Sequence, residues 1–209
     1  MVGATRRVAV LAVAIAAVLA TGAVRAAEAM SATGRPEREY RSAERAGTSM
    51  SAAGACRGGV PNGAYELRSE DGRLRAAGAF AMGRKTGTFI FWTEGGARSA
   101  VIPYDSDART GTVALWYTGA RRELSRKFEA PYDNNVLHGV LRSYHPNGAP
   151  RTECRFDHGQ LVSALAWDAQ GTALSEAQAR QIAVRDIESE TRVLAQFDAT
   201  IGANLPRCE

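Results

Sequence analysis

Gly87-Thr88-Phe89-Ile90-Phe91-Trp92, closed by Glu94-Gly95-Gly96, decides how this chain is read, because its pattern returns along most of the molecule. Gly63, Gly87, Gly111, Gly139 and Ser163 begin five copies at separations of 24, 24, 28 and 24 residues, with an insertion around Ala130-Pro131-Tyr132-Asp133 in the third. A period of this size marks an array of supersecondary units.

Within each copy the residues alternate as a strand requires. Two positions past the anchors stand Tyr65, Phe89, Val113, Leu141 and Leu165, and two further stand Leu67, Phe91, Leu115, Ser143 and Trp167. Side chains of a strand point alternately to opposite faces, so both columns share one face, which is apolar except at Ser143. Trp92, Trp116 and Tyr144 begin the opposite face in the middle copies, where Arg68 and Asp168 stand in the outer ones. Asp71-Gly72, Gly95-Gly96, Thr118-Gly119, Asn147-Gly148 and Gln170-Gly171 follow as hairpin turn signals, since Gly supplies the positive φ of a tight turn. A return strand then leads to Phe80, Tyr104, Phe128 and Phe156, each 17 residues after its anchor.

The fifth copy lacks a return strand. Ser175 and Gln178 instead form a capping box, and Ile182, Ala183, Ile187, Leu194, Phe197 and Ile201 recur at helical spacing, interrupted by Glu190, up to Gly202 and Pro206. The expected architecture is mainly β: an elongated single antiparallel sheet of at most ten short strands, covered by one long C-terminal helix from Ser175 to Ile201. The repeats occupy residues 62–174 as four full hairpins and a half unit, and the helix and tail residues 175–209.

The unit Gly-x-x-x-x-Trp/Tyr-x-x-Asn/Asp-Gly…Phe-x-x-Gly-x-x-x-Gly resembles the bacterial variant of the MORN (membrane occupation and recognition nexus) repeat over residues 63 to about 174. Gly111, Trp116, Tyr117, Gly119 and Phe128 carry the resemblance in the third copy, and His138, Gly139, Tyr144, Asn147, Gly148 and Phe156 in the fourth. The first copy departs from it at Arg68. The resemblance implies stacked hairpins, a unit that occurs in scaffolding, membrane-associated and enzyme-fused proteins alike. Bacterial relatives are often described as antitoxin components of toxin–antitoxin systems, which act where the toxin acts, usually in the cytoplasm.

The N-terminus points elsewhere. Arg6-Arg7 precede an apolar run from Val8 to Val24, and small residues with cleavage spacing follow around Ala26, so residues 1–26 read as a secretory signal peptide. An uncleaved anchor is the alternative, but seventeen Ala-rich residues fall short of the roughly twenty that span a bilayer. Loss of Arg6, Arg7 and Arg25 lowers the formal net charge from +4 to +1, and the remaining Arg residues are interspersed with Asp and Glu, so no nucleic-acid partner is expected. Residues 27–61 contain almost no large apolar side chain and read as a flexible linker.

Candidate chemistry gathers only in the fourth copy, where His138, His145 and His158 stand near Asp133 and Asp157. Imidazole is the commonest transition-metal ligand. Yet His138 precedes an anchor, His145 adjoins a turn, and His158 lies at the other end of that hairpin, so the expectation is no metal site and no catalytic set. No nucleophile elbow or phosphate loop occurs, and the Gly residues are accounted for by turns, so no cofactor is expected. Trp92, Trp116 and Tyr144 are the candidate binding surface, provided that they lie together and exposed.

The three Cys are an odd number for an oxidising compartment. Cys154 lies on the buried face with Phe156, as a small inert hydrophobe. Cys56 and Cys208 flank the array, and a bond between them requires the helix to run back along the sheet. The reading as a whole is a secreted or periplasmic, non-enzymatic scaffold for an unidentified protein or envelope component. An antitoxin-like neutraliser and a metal-dependent enzyme using the fourth-copy His residues are its rivals.

Overall fold

At four of the five anchors φ is positive, 112° at Gly63, 67° at Gly87, 114° at Gly111 and 115° at Gly139, which is why glycine starts those units. The computed structural model describes residues 38–41, 50–119 and 125–208. The expected signal peptide, residues 1–26, lies outside them, as do residues 27–37 and 42–49 of the expected linker. The strands are β1 Arg38–Arg41, β2 Met50–Arg57, β3 Val60–Ser69, β4 Leu74–Ala81, β5 Arg84–Trp92, β6 Arg98–Asp105, β7 Ala108–Arg109, β8 Gly111–Trp116, β9 Arg126–Asp133, β10 Val136–Leu137, β11 Gly139–Tyr144, β12 Pro150–Asp157 and β13 Gln160–Ala166, followed by helix α1, Glu176–Ala203.

They form one 13-stranded antiparallel sheet in chain order, with two-residue β7 and β10 pairing with β6 and β9 off the main path. Among the described residues the sheet is thus a run of hairpins followed by a single helix, as the repeat pattern indicates. The ten strands expected were too few. The array extends backward into β1 and β2, and the segments just ahead of Gly111 and Gly139 each add a two-residue strand. The linker expectation fails over residues 50–61 for the same reason. Between Met50 and Arg57 strand β2 holds only small residues, yet Ala52 is fully buried opposite Leu67, and Gly54 lies under Pro206, whose Cγ would be 3.3 Å from a Cβ there.

Register carries the pattern across the whole sheet. Ala52, Leu67, Ala76, Phe91, Ala100, Leu115, Phe128, Ser143, Thr152 and Ala166 pair in succession from β2 to β13, and none is more than 4 % exposed. Small and large side chains alternate through much of this row, so neighbours interdigitate. Ser143 and Thr152, the two polar members, satisfy each other by a 2.7 Å hydrogen bond between their hydroxyls. The Phe89 ring lies over Gly78, where an added Cβ would sit 2.5 Å from it.

The fifth copy departs from the sequence alignment. Leu165 is 57 % exposed, whereas Ala164 and Ala166 are buried, because the β12–β13 shift at Arg155/Phe156 takes up one extra residue where the shifts in β2–β3 and β4–β5 take up two. A slip of one residue exchanges the two faces of a strand.

Helix α1 crosses the strands. Ser175 caps it with the expected box. Arg180 donates to the Val162 carbonyl of β13, Arg151 of β12 pairs with Asp186, Lys127 of β9 with Glu190, and Phe197 packs on Phe91 of β5 with ring centroids 4.4 Å apart. At the far end Tyr65 of β3 donates to the Asn204 carbonyl at 2.9 Å. Twenty-eight residues give about 42 Å of helix, and the nine neighbouring strands from β13 to β3 cover roughly 38 Å, so one helix roofs the array. The helix passes the expected stop at Gly202 and ends at Asn204, whose side-chain amide donates to the Thr200 carbonyl. Its buried stripe is Ala179, Ala183, Glu190, Leu194 and Ile201.

Beyond the helix, Cys56 and Cys208 are joined by a disulfide with Cα atoms 5.6 Å apart, the pairing expected from their flanking positions. Cys154 is buried and free.

Candidate functional site

Because Phe89, Phe91, Val113, Leu115, Leu141 and Ser143 face the helix, strand alternation sends Ile90, Trp92, Ala114, Trp116, Arg142 and Tyr144 to the opposite face. Among the described residues no other element packs there. A second continuous row crosses this face: Glu66, Ala77, Ile90, Val101, Ala114, Glu129, Arg142, Glu153 and Leu165 pair strand by strand. Its middle is apolar and the following stretch charged, with Arg142 and Glu153 in a 2.9 Å ion pair.

The three aromatics expected to form an exposed surface do share this face, but they are not equally available. Trp116 is only 9 % exposed. The Arg98 guanidinium lies 4.3 Å from its ring centroid and that of Arg126 5.3 Å, so two cations from the flanking strands close over it. Arg126 also pairs with Glu129, and Glu129 accepts from the Tyr144 hydroxyl at 3.2 Å. Trp92 is half-buried and stands opposite Arg98. The sequence reading missed Arg98 and Arg126, since only the strand register puts them beside Trp116.

Between helix and sheet lies a polar cavity of about 210 Å³, lined by Tyr117, Lys127, Ser143, Arg151, Asp186 and Glu190 among others. Its charges are paired, Lys127 with Glu190 at 2.7 Å and Arg151 with Asp186 at 2.8 Å. The hydrogen bond to Asp186 raises the affinity of Arg151 for its proton. Glu190 Oε2, in contrast, has no hydrogen-bond partner among the described residues.

The histidines separate into two groups. His145 is buried, not in an exposed loop, and its Nε2–H donates to the Trp167 carbonyl at 2.9 Å. His138 and His158 come together on the surface, with ring centroids 4.8 Å apart and Asp157 between them. Asp133, at the end of β9, is exposed and is not part of this group. The periodicity contained a signal for the contact: Asn62 and Met82 are also 20 residues apart, and Asn62 Oδ1 accepts from the Met82 N–H much as His138 Nδ1 accepts from that of His158.

Comparison of the chain with protein-family models gives no match, and comparison with curated proteins gives none.

Proposed function

We propose that this protein is a non-catalytic, extracytoplasmic scaffold that binds a protein or cell-envelope component on the sheet face opposite α1. The observation that carries the reading is the division of the sheet: one face is closed by a helix that a disulfide fastens in place, while the other presents a continuous row half apolar and half charged. An interface of this mixed composition suits a protein partner, since the centres of such interfaces are depleted in charge and their rims are polar. Trp92 and the Trp116–Arg98–Arg126 stack lie beside the apolar part, and aromatic and Arg side chains are the commonest anchors of binding energy. The disulfide supports an oxidising compartment, in keeping with the signal-like residues 1–26. No helix among the described residues is long and apolar enough to cross a membrane. The likeness of the repeat to the MORN unit belongs to the same proposal.

The test is affinity capture from the cell envelope with the wild type, an Ile90→Arg/Val101→Arg variant and a Val184→Arg control on the outer helix surface. The expected result is a partner retained by the wild type and the control but lost by the face variant. Equal capture by all three overturns the docking face. Mature protein found in the cytoplasm overturns the compartment and favours the antitoxin-like neutraliser.

A further inference from the structure

We infer that His138, Asp157 and His158 form a surface site for a divalent transition-metal ion of the Zn²⁺ or Cu²⁺ kind. This goes beyond the scaffold reading and does not depend on it. The site is built by two neighbouring units. His158 and Gly159 are the two-residue turn between β12 and β13, both at positive φ, and the Gly159 N–H donates to the Leu137 carbonyl at 2.8 Å, which fastens that turn against the end of β10, just ahead of β11. The bond places His158 beside His138, the residue before the anchor Gly139.

One ligand atom from each of the three side chains lies within 4.8 Å of the others. Asp157 Oδ1 is 2.7 Å from His158 Nδ1 and 3.5 Å from His138 Nδ1. Metal–nitrogen bonds of about 2.0–2.1 Å in a tetrahedron separate the ligand atoms by roughly 3.3–3.4 Å, so the observed spacings bracket the required one. All three side chains are exposed, which leaves their χ angles free to adjust these spacings. Two imidazoles and one carboxylate suit borderline transition ions, whereas Mg²⁺ and Ca²⁺ require more oxygen donors than the cluster offers. A remaining coordination position faces outward, open to water or to a donor from another molecule.

The turn itself does not require an imidazole. At the equivalent position Asn62 Oδ1 holds the Met82 N–H at 3.0 Å, closer than the 3.4 Å between His138 Nδ1 and the His158 N–H. Asn134 likewise occupies a first turn position at φ 49°, against 45° for His158. The array therefore supplies its own controls: His138→Asn and His158→Asn keep the turn chemistry and remove one metal ligand each.

The experiment is calorimetric titration of Zn²⁺ into the untagged, disulfide-intact protein, with Mg²⁺ titrated separately. One equivalent of Zn²⁺ is expected to bind, with affinity at least about tenfold weaker in each Asn variant and unchanged in His145→Gln. Proton NMR should show metal-dependent shifts of the His138 and His158 ring signals and not of His145. Zn²⁺ binding that is absent, that matches Mg²⁺, or that survives both Asn substitutions in folded protein overturns the site. If either Asn variant fails to fold, Asp157→Asn and the wild-type ring shifts decide on the same criteria.

Discussion

The Cα atoms of Cys56 and Cys208 lie 5.6 Å apart across a sequence separation of 152 residues, so the strand that opens the well-packed array is bonded directly to the tail that follows α1. The bond closes nearly the whole folded unit into one covalent loop. In the chain-entropy account such a loop raises stability by up to about 5 kcal/mol, chiefly by restricting the unfolded chain. Replacing both Cys by Ser should lower the melting temperature by at most about 10–20 °C, measured by calorimetry against the oxidised wild type. An unchanged melting temperature would show that the bond does not constrain unfolding.

Leu194 is fully buried and Phe197 packs its ring on Phe91 at 4.4 Å. Aspartate at both positions would place one carboxylate fully and a second partly out of water without partners and remove the ring contact, which costs more than a domain of this size can lose. Leu194→Asp/Phe197→Asp should therefore be unfolded or aggregated by circular dichroism and gel filtration, while Val184→Asp on the exposed helix surface folds normally. A double variant that keeps its melting temperature would deny α1 its covering role.

Gly78 leaves room for the Phe89 ring, with an added Cβ only 2.5 Å away. Gly78→Ala should cost roughly 1–3 kcal/mol through overpacking. Phe89→Leu in the same chain should recover part of that loss, and a double-mutant cycle by urea unfolding measures the coupling. Strictly additive effects would refute the contact.

Cys154 is completely buried, and burial pushes its thiol up to about 11 from an ordinary 9.0. Above pH 9 the unfolded chain loses this proton while the folded chain retains it. The Cys154 contribution to stability is therefore present below pH 9 and is lost as the pH rises to about 11. Urea midpoints should fall over that window in the wild type and fall less in Cys154→Ala. At pH 8 the native thiol should resist aromatic disulfide reagents and react once the chain is unfolded.

The hairpin array was legible because two independent signals agreed, the Gly anchors at a fixed period and the alternating apolar columns between them. The columns lie where strand geometry puts them from Tyr65 to Ser143. Legibility ended where those signals parted. In the last copy a register shift one residue shorter than those of β2–β3 and β4–β5 turns Leu165 outward and Ala164 inward, and nothing in the residue types there announces it. Met50–Arg57 looked too poor in apolar bulk to order, but a strand of Ala and Gly needs little bulk when Leu67 and Pro206 cover it. Trp116 was placed on the correct face and still misjudged, since its cover comes from Arg98 and Arg126 on separate strands. His138 and His158 met because the turn at Gly159 bonds back to Leu137, and the 20-residue spacing shared with Asn62 and Met82 was the sequence signal for it.

Open repeat arrays can lengthen by duplication of a unit, since each copy contacts only its neighbours. In this chain the helix acts as a gauge of copy number. A duplicated 24-residue unit adds two strands, roughly 10 Å of sheet, and the existing α1 would then stop two strands short. Cys208 would fall well outside the 4.4–6.8 Å that a disulfide tolerates, leaving two unpaired thiols in place of a bond. Gain of a copy therefore requires about six or seven further helical residues in the same event, so selection should hold the number of units constant while their surface residues vary.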